Sequence, residues 1–221
     1  MSRVEKNQLL VIMAHPDDAE LSCYGTICKY VDEGVFCSLV IATKGENVIR
    51  KDKTPLDRLN ETQKAFHKTK IDISCLNIKD GNIVHDLNLM RVLKKIIQEI
   101  NPTTIISHYP DEFGYEHQDH TALGKAVISC AFRYCKNLRM LLLAEPLFRG
   151  FTSFRGNHFV NVSNYYDDKK LAIKKHKSQY NKHYTNVKFL KNRLVGFSPY
   201  INSFRISNNK YEIFESIYTI D

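Results

Sequence analysis

Short apolar runs alternate along this chain with longer amphipathic stretches. Leu9–Ala14, Val35–Thr43, Ile73–Ile78, Thr103–Ser107 and Arg139–Leu143 have strand length, and Phe159–Val162 is a shorter run of the same kind. Between them, apolar residues recur at helical spacing. Glu20–Glu33 carries Leu21, Tyr24, Ile27, Cys28 and Val31 on one face, with Gly34 placed as a C-terminal stop. Asn88–Ile100 is the clearest helix: Leu89, Val92, Leu93, Ile96, Ile97 and Ile100 make an apolar stripe that Asn101-Pro102 ends. Further helices are predicted near Asp57–Lys68, over Thr121–Tyr134 and over Asp167–Tyr180, with an Asp80-Gly81 turn after the third strand. Beyond Asn181 the pattern supports no assignment. Strands alternating with helices predict an α/β fold, a mostly parallel sheet covered by helices.

Two polar clusters interrupt this pattern where strands end, which is where open α/β sheets bind ligands. The first is His15-Pro16-Asp17-Asp18-Ala19-Glu20 and the second is Tyr115-Glu116-His117-Gln118-Asp119-His120, within a long loop predicted over Tyr109–His120. One imidazole and three carboxylates in six positions repel one another unless a cation holds them. His15 and Asp18 are three apart, as are His117 and His120, so each pair can face one ion. Nitrogen and carboxylate oxygen donors suit zinc. Either cluster alone also reads as a helix N-terminus with capping carboxylates. Capping does not call for two histidines in the opposite loop.

The remaining composition narrows the function. At 221 residues, without repeats or a linker-like tract, the chain is expected to be one domain, 1–221. Its formal charge is +8, but the basic residues are scattered, with local density only at Arg50–Lys53 and Lys169–Lys177. That distribution reads as solvated surface rather than a nucleic-acid or membrane face. The six cysteines include no Cys-x-x-Cys pair, and the charged N-terminus does not read as a secretory signal; a reducing cytoplasm is expected. His67, His85, His158 and His183 are isolated and read as surface or satisfied core residues. His108 reads the same way, although it ends the fourth strand beside the cleft.

Ala14–Glu20 resembles the Ala-His-Pro-Asp-Asp-x-Glu signature of the PIG-L/LmbE-like N-acetylglucosaminyl deacetylases and matches every fixed position. His117–His120 resembles the family's His-Pro-Asp-His element, with Gln118 where proline is usual. Arg58 and Glu61 look like its Arg-x-x-Glu, Asp80-Gly81 like its Asp-Gly loop, His176-x-Ser178-Gln179 like its His-x-Ser-Gln, and Glu212-x-Phe214 like its Glu-x-Phe. The resemblance implies a Rossmann-like fold with helices on both faces and zinc-dependent hydrolysis of an N-acetyl group on an amino sugar. It implies that His15, Asp18 and His120 hold Zn2+. Asp17 would be the general base, and His117 would protonate the leaving amine or stabilise the oxyanion. Asp119 would orient one of the loop histidines, Arg58 and Asp80 would contact the sugar, and Tyr115 would lie near the carbonyl. Glu20 would secure the turn by a local hydrogen bond.

Two rival readings remain at this stage. One is a zinc amidase acting on a non-acetyl amide conjugate; the other is a basic, metal-stabilised binding module, which would have no use for Asp17. The partner expected is a small amino-sugar substrate, with no nucleic acid and no membrane, and a homo-oligomer is compatible with the chain. The segment Lys44–Leu56 carries Lys44, Arg50, Lys51 and Lys53 on the same edge as the clusters, which reads either as a simply solvated loop or as a site for a phosphate or nucleotide attached to the sugar. Pro146–Phe159 and the segment after Asn181 match the family poorly and are expected to line the substrate entrance or an interface.

Overall fold

The first strand, β1 (Gln8–Met13), is the middle one of the five parallel strands of the sheet, and its residues Leu9 to Met13 are fully buried. Successive side chains of a strand face opposite ways, so one apolar run feeds two cores. Leu9, Val11 and Met13 pack with Ile27 and Phe66, while Leu10 and Ile12 pack with Leu93, Ile97 and Val127. The structure, a computed structural model, describes residues 7–47, 57–111, 117–147, 152–180, 182–194 and 209–220.

Around β1 the chain places α1 (Asp18–Ser22), α2 (Tyr24–Asp32), β2 (Phe36–Thr43), α3 (Arg58–Ala65), β3 (Asp72–Ile78), α4 (Leu87–Ile100), β4 (Thr104–His108), α5 (Gln118–Tyr134) and β5 (Met140–Ala144). The remainder holds β6 (His158–Asn161), α6 (Tyr166–Ile173), α7 (Val187–Leu194) and β7 (Tyr211–Thr219). The strand order is β3-β2-β1-β4-β5-β7-β6, with β1 to β5 parallel and β7 running against both of its neighbours. The α/β, mostly parallel sheet expected from the pattern is thus observed, with α2, α3 and α6 on one face and α4 and α5 on the other.

Several boundaries differ from the pattern-based assignment. The helix expected over Glu20–Glu33 is two helices, interrupted at Cys23. The Glu212 carboxylate accepts the N–H groups of Gly25 and Thr26, so a distant side chain supplies the N-terminal cap of α2. The fifth helix starts at Gln118 rather than Thr121, which brings His120 into its first turn. The helix expected to run to Tyr180 stops at Ile173, and the chain turns so that His176 is buried against Glu20. Burial of the thiols fits the cysteine pattern: all six cysteines are free, and Cys23, Cys28, Cys37 and Cys130 are buried.

The sheet order places the two polar clusters together. The chain builds outward from β1 through β2 to β3, then crosses to β4 on the other side of β1. The crevice between β1 and β4 at their carboxyl ends is therefore the switch point of the sheet.

Candidate active site at the sheet switch point

At Ala14 the chain leaves β1, and side chains take over the hydrogen bonds of the ladder. The Ala14 N–H donates to His108 Nε2 at 2.9 Å, and its carbonyl accepts from the Thr43 N–H and hydroxyl. Pro16 follows, and then Asp17 at φ 119°, a region that a residue with a Cβ adopts only when its surroundings hold it there. Asp18 opens α1, and its Oδ2 turns back to accept the His15 N–H at 2.7 Å. A five-residue turn thereby aims His15 and Asp18 at one point.

The second cluster arrives on α5. His120 Nε2 lies 3.2 Å from His15 Nδ1 and 3.3 Å from Asp18 Oδ2, and His15 Nδ1 is 3.5 Å from Asp18 Oδ2. His108 stacks flat on the His120 ring with centroids 4.0 Å apart, its Nε2 3.2 Å from Asp18 Oδ2. On the far side of His15, Nε2 meets Asp80 Oδ1 at 3.1 Å and Asp119 Oδ2 at 3.2 Å. Among the described residues, three overlapping donor sets could hold a metal ion: His15, His117 and His120; Asp18, His108 and His120; and His15, Asp80 and Asp119.

The electrostatics favour positive charge here. Burial lowers the His15 pKa, but Asp119, Asp18 and Asp80 outweigh it and push it up to about 11. Burial likewise works against the Asp18 carboxylate, yet His120 and His108 hold it well below the usual range. Asp119 is fully buried and accepts the N–H groups of Gly81 and Ile83, which with His15 overcome desolvation and keep its pKa low. Asp17 differs. Burial raises it to about 6, opposed by Arg58 and reinforced by Asp18.

Arg58 is buried at the start of α3 and donates to Pro16 O at 2.7 Å and Asp17 Oδ1 at 3.1 Å, with Gly45 O at 3.4 Å. A Cβ on Gly45 would fall 2.2 Å from Arg58 Nη1, and φ there is +64°, so this loop passes the guanidinium only as glycine. His117 stands exposed at the rim, its ring 4.4 Å from that of His15 and 4.9 Å from that of His120. Desolvation of its inner side and the charges on His15 and His120 lower its pKa.

Of the residues singled out in the sequence, His15, Asp17, Asp18, Arg58, Asp80, His117, Asp119 and His120 converge on this crevice. Three of them engage protein partners that spacing did not announce. Arg58 bonds Asp17 and backbone carbonyls. Asp80 is turned to His15 and to the Asn47 N–H. Asp119 reaches His15, across the crevice, rather than a histidine of its own loop. Tyr115, Arg50, Lys51 and Lys53 lie outside the described residues. His108 is a site residue that sequence reasoning set aside; its signal was a polar side chain closing an apolar strand at the switch point.

Fold and site together define a class. Residues 10–131 match the family described as PIG-L: GlcNAc-PI de-N-acetylase, and the chain belongs to that family. A Bacillus cereus protein named Probable N-acetyl-alpha-D-glucosaminyl L-malate deacetylase 2 is 32% identical over 187 residues, covering 79% of this chain and 84% of that one. Among solved structures, N,N'-diacetylchitobiose deacetylase from Pyrococcus horikoshii superposes with a TM-score of 0.80 at 21% identity, covering 97% of this chain and 85% of the other. The 4-carboxy-2-hydroxymuconate hydratase GalB from Pseudomonas putida gives the same TM-score at 17% identity, covering 97% and 98%. These two likenesses show the fold alone, and a hydratase among them means that the fold does not settle the chemistry.

Proposed function

We propose that this chain is a zinc-dependent hydrolase that removes the N-acetyl group from an amino sugar of the N-acetylglucosamine type. The observation that carries the reading is the triangle of His15 Nδ1, Asp18 Oδ2 and His120 Nε2, with sides of 3.2 to 3.5 Å. Donors at zinc–ligand distances around a tetrahedral ion lie about 3.3 Å apart, so the donor set fits the metal. Zinc held there would supply Lewis acidity toward the acetyl carbonyl and lower the pKa of a water. The named activity of the Bacillus cereus relative supports the substrate class.

The protein's own residues then divide the work. Asp119 and Asp80 hold His15 through Nε2 and so direct its Nδ1 toward Asp18 and His120. Arg58 engages Asp17 Oδ1, leaving Oδ2 to accept a proton from the water that attacks the acetyl carbon. As the new C–O bond forms and the C–N bond breaks, the departing nitrogen needs a proton, and His117 at the rim would deliver it after first taking up one itself, since desolvation and its neighbours lower its pKa. The products are acetate and the free amine. Tyr115 belongs beside the carbonyl on the family resemblance. The cations Lys44, Arg50, Lys51 and Lys53 favour an acidic substituent on the sugar, a phosphate or nucleotide among them.

Zinc-loaded protein assayed by mass spectrometry against free, glycosidic and nucleotide-linked N-acetylhexosamines should remove one acetyl group. His15→Ala and His120→Ala should lose most of the metal together with activity. Full zinc retention in both variants would remove the basis for the site. An acidic substituent should give a preference that weakens at high salt and in Arg50→Ala and Lys51→Ala.

A further inference from the structure

The turn at Lys177–Gln179 that follows α6 is linked to the helices on which the crevice is built. His176 Nε2 meets Glu20 Oε1 at 2.7 Å, and both side chains are 1% exposed. The other ring nitrogen faces Glu61 Oε2 at 3.9 Å, and that carboxylate accepts from Ser178 N at 3.0 Å and Ser178 Oγ at 2.5 Å. Glu20 sits three residues after Asp17 on α1. Glu61 sits three residues after Arg58 on α3, hence on the same helix face. One turn thus grips the two helices that present Asp17 and its guanidinium partner.

We propose that His176 is a positioning residue, acting through Glu20 and Glu61 to hold the Asp17–Asp18 turn and Arg58 in mutual register. The inference rests on the metallo-deacetylase reading. Asp17 is in the left-handed region and needs outside restraint, which comes from Arg58 bonding Pro16 O and Asp17 Oδ1. Arg58 delivers that restraint only if α3 keeps its distance and rotation relative to α1. The junction is also polar where stability alone favours apolar packing. Glu20 Oε2, His176 Nδ1, Thr62 Oγ1 and Arg58 Nε are buried there without a hydrogen-bond partner. Buried charged groups are commonly replaced by apolar ones without loss of stability, so their presence here points to geometry as what they secure.

His176→Gln removes the charge and keeps a donor for Glu20. Metal-loaded His176→Gln should lose about 10- to 100-fold in kcat, the scale of a misplaced catalytic group, with KM changed by less than about threefold and full metal content. The cobalt(II)-substituted variant should show altered d–d absorption, a readout independent of turnover. A folded variant with kcat within about twofold of wild type and an unchanged cobalt spectrum overturns the proposal. Glu61→Gln leaves the His176–Glu20 pair intact and serves if His176→Gln does not fold. It should lower kcat in the wild-type background but not further in an Asp17→Asn background, because it acts through Asp17. Losses that multiply overturn the proposal. A wild-type protein that releases no acetate defeats the functional reading instead, and the cobalt spectra still judge the brace.

Discussion

Asp17 combines a backbone conformation costing of order 1–3 kcal/mol with a buried carboxyl raised to about 6, and Arg58 bonds both its side chain and the carbonyl of Pro16 just before it. Asparagine tolerates the left-handed region and keeps an oxygen for Arg58, so Asp17→Asn separates proton transfer from folding. It should retain metal and thermal stability while turnover falls by about 10²–10⁴. A wild-type rate in Asp17→Asn would reassign the base. His176 supports a second test at this scale. Burial lowers its pKa, but Glu20, Asp17 and Glu61, the acidic groups facing it, raise it above the ordinary histidine value. A raised folded-state pKa contributes stability in full below about pH 6.5 and loses it as pH climbs through the folded value. The stability gap between wild type and His176→Gln in urea should therefore be larger at pH 6 than at pH 9; a gap that widens with pH would mean that His176 is neutral in the fold. These pairings were not legible in the sequence. Residue types and spacing indicated that His15 with Asp18, and His117 with His120, could face a cation, and the family resemblance picked out His15, Asp18 and His120; the partners of Arg58, Asp80 and Asp119 depend on rotamers that spacing does not encode.

Among the elements, α5 shows why the boundaries mattered. Its apolar positions announced a helix from Thr121, but Gln118-Asp119-His120 is polar because it faces the crevice, so periodicity stopped a turn short. The interruption at Cys23 was hidden for the opposite reason: the apolar pattern continues across it, and its cause is a carboxylate nearly two hundred residues away. The closeness of α5 to β4 is set at Gly124, where a Cβ would lie 2.7 Å from His108 O and 3.3 Å from Pro110 Cα. Alanine offers roughly 1 kcal/mol more helix propensity than glycine, yet backbone cannot yield as a flexible side chain can. Gly124→Ala should therefore lower stability by about 1–3 kcal/mol and weaken metal binding by pushing His120 away from His108. A rise in melting temperature would show instead that α5 slides outward at little cost.

For the whole molecule, the alternation of strands and helices was enough to place both polar clusters on one edge of a parallel sheet. The order of the last strands was beyond it, since nothing in the run Tyr211–Thr219 says that it inserts between β5 and β6. That insertion bears on biosynthesis. Until β7 leaves the ribosome, β5 shows an open edge, β6 has no neighbour, and Lys169, 1% exposed when folded, lacks the Glu212 carboxylate 2.5 Å away. The cap of α2 is missing as well. Closure of the sheet thus waits for Tyr211–Thr219 to be made. Ribosome-arrested chains ending before Tyr211 should be cleaved by protease, and extending them past Thr219 with a linker long enough to clear the exit tunnel should make them resistant; equal resistance at both lengths would show that the sheet closes without its final strand. Until Tyr211–Thr219 has been made, a nascent chain holds its active-site residues already synthesised beneath a sheet that is still open.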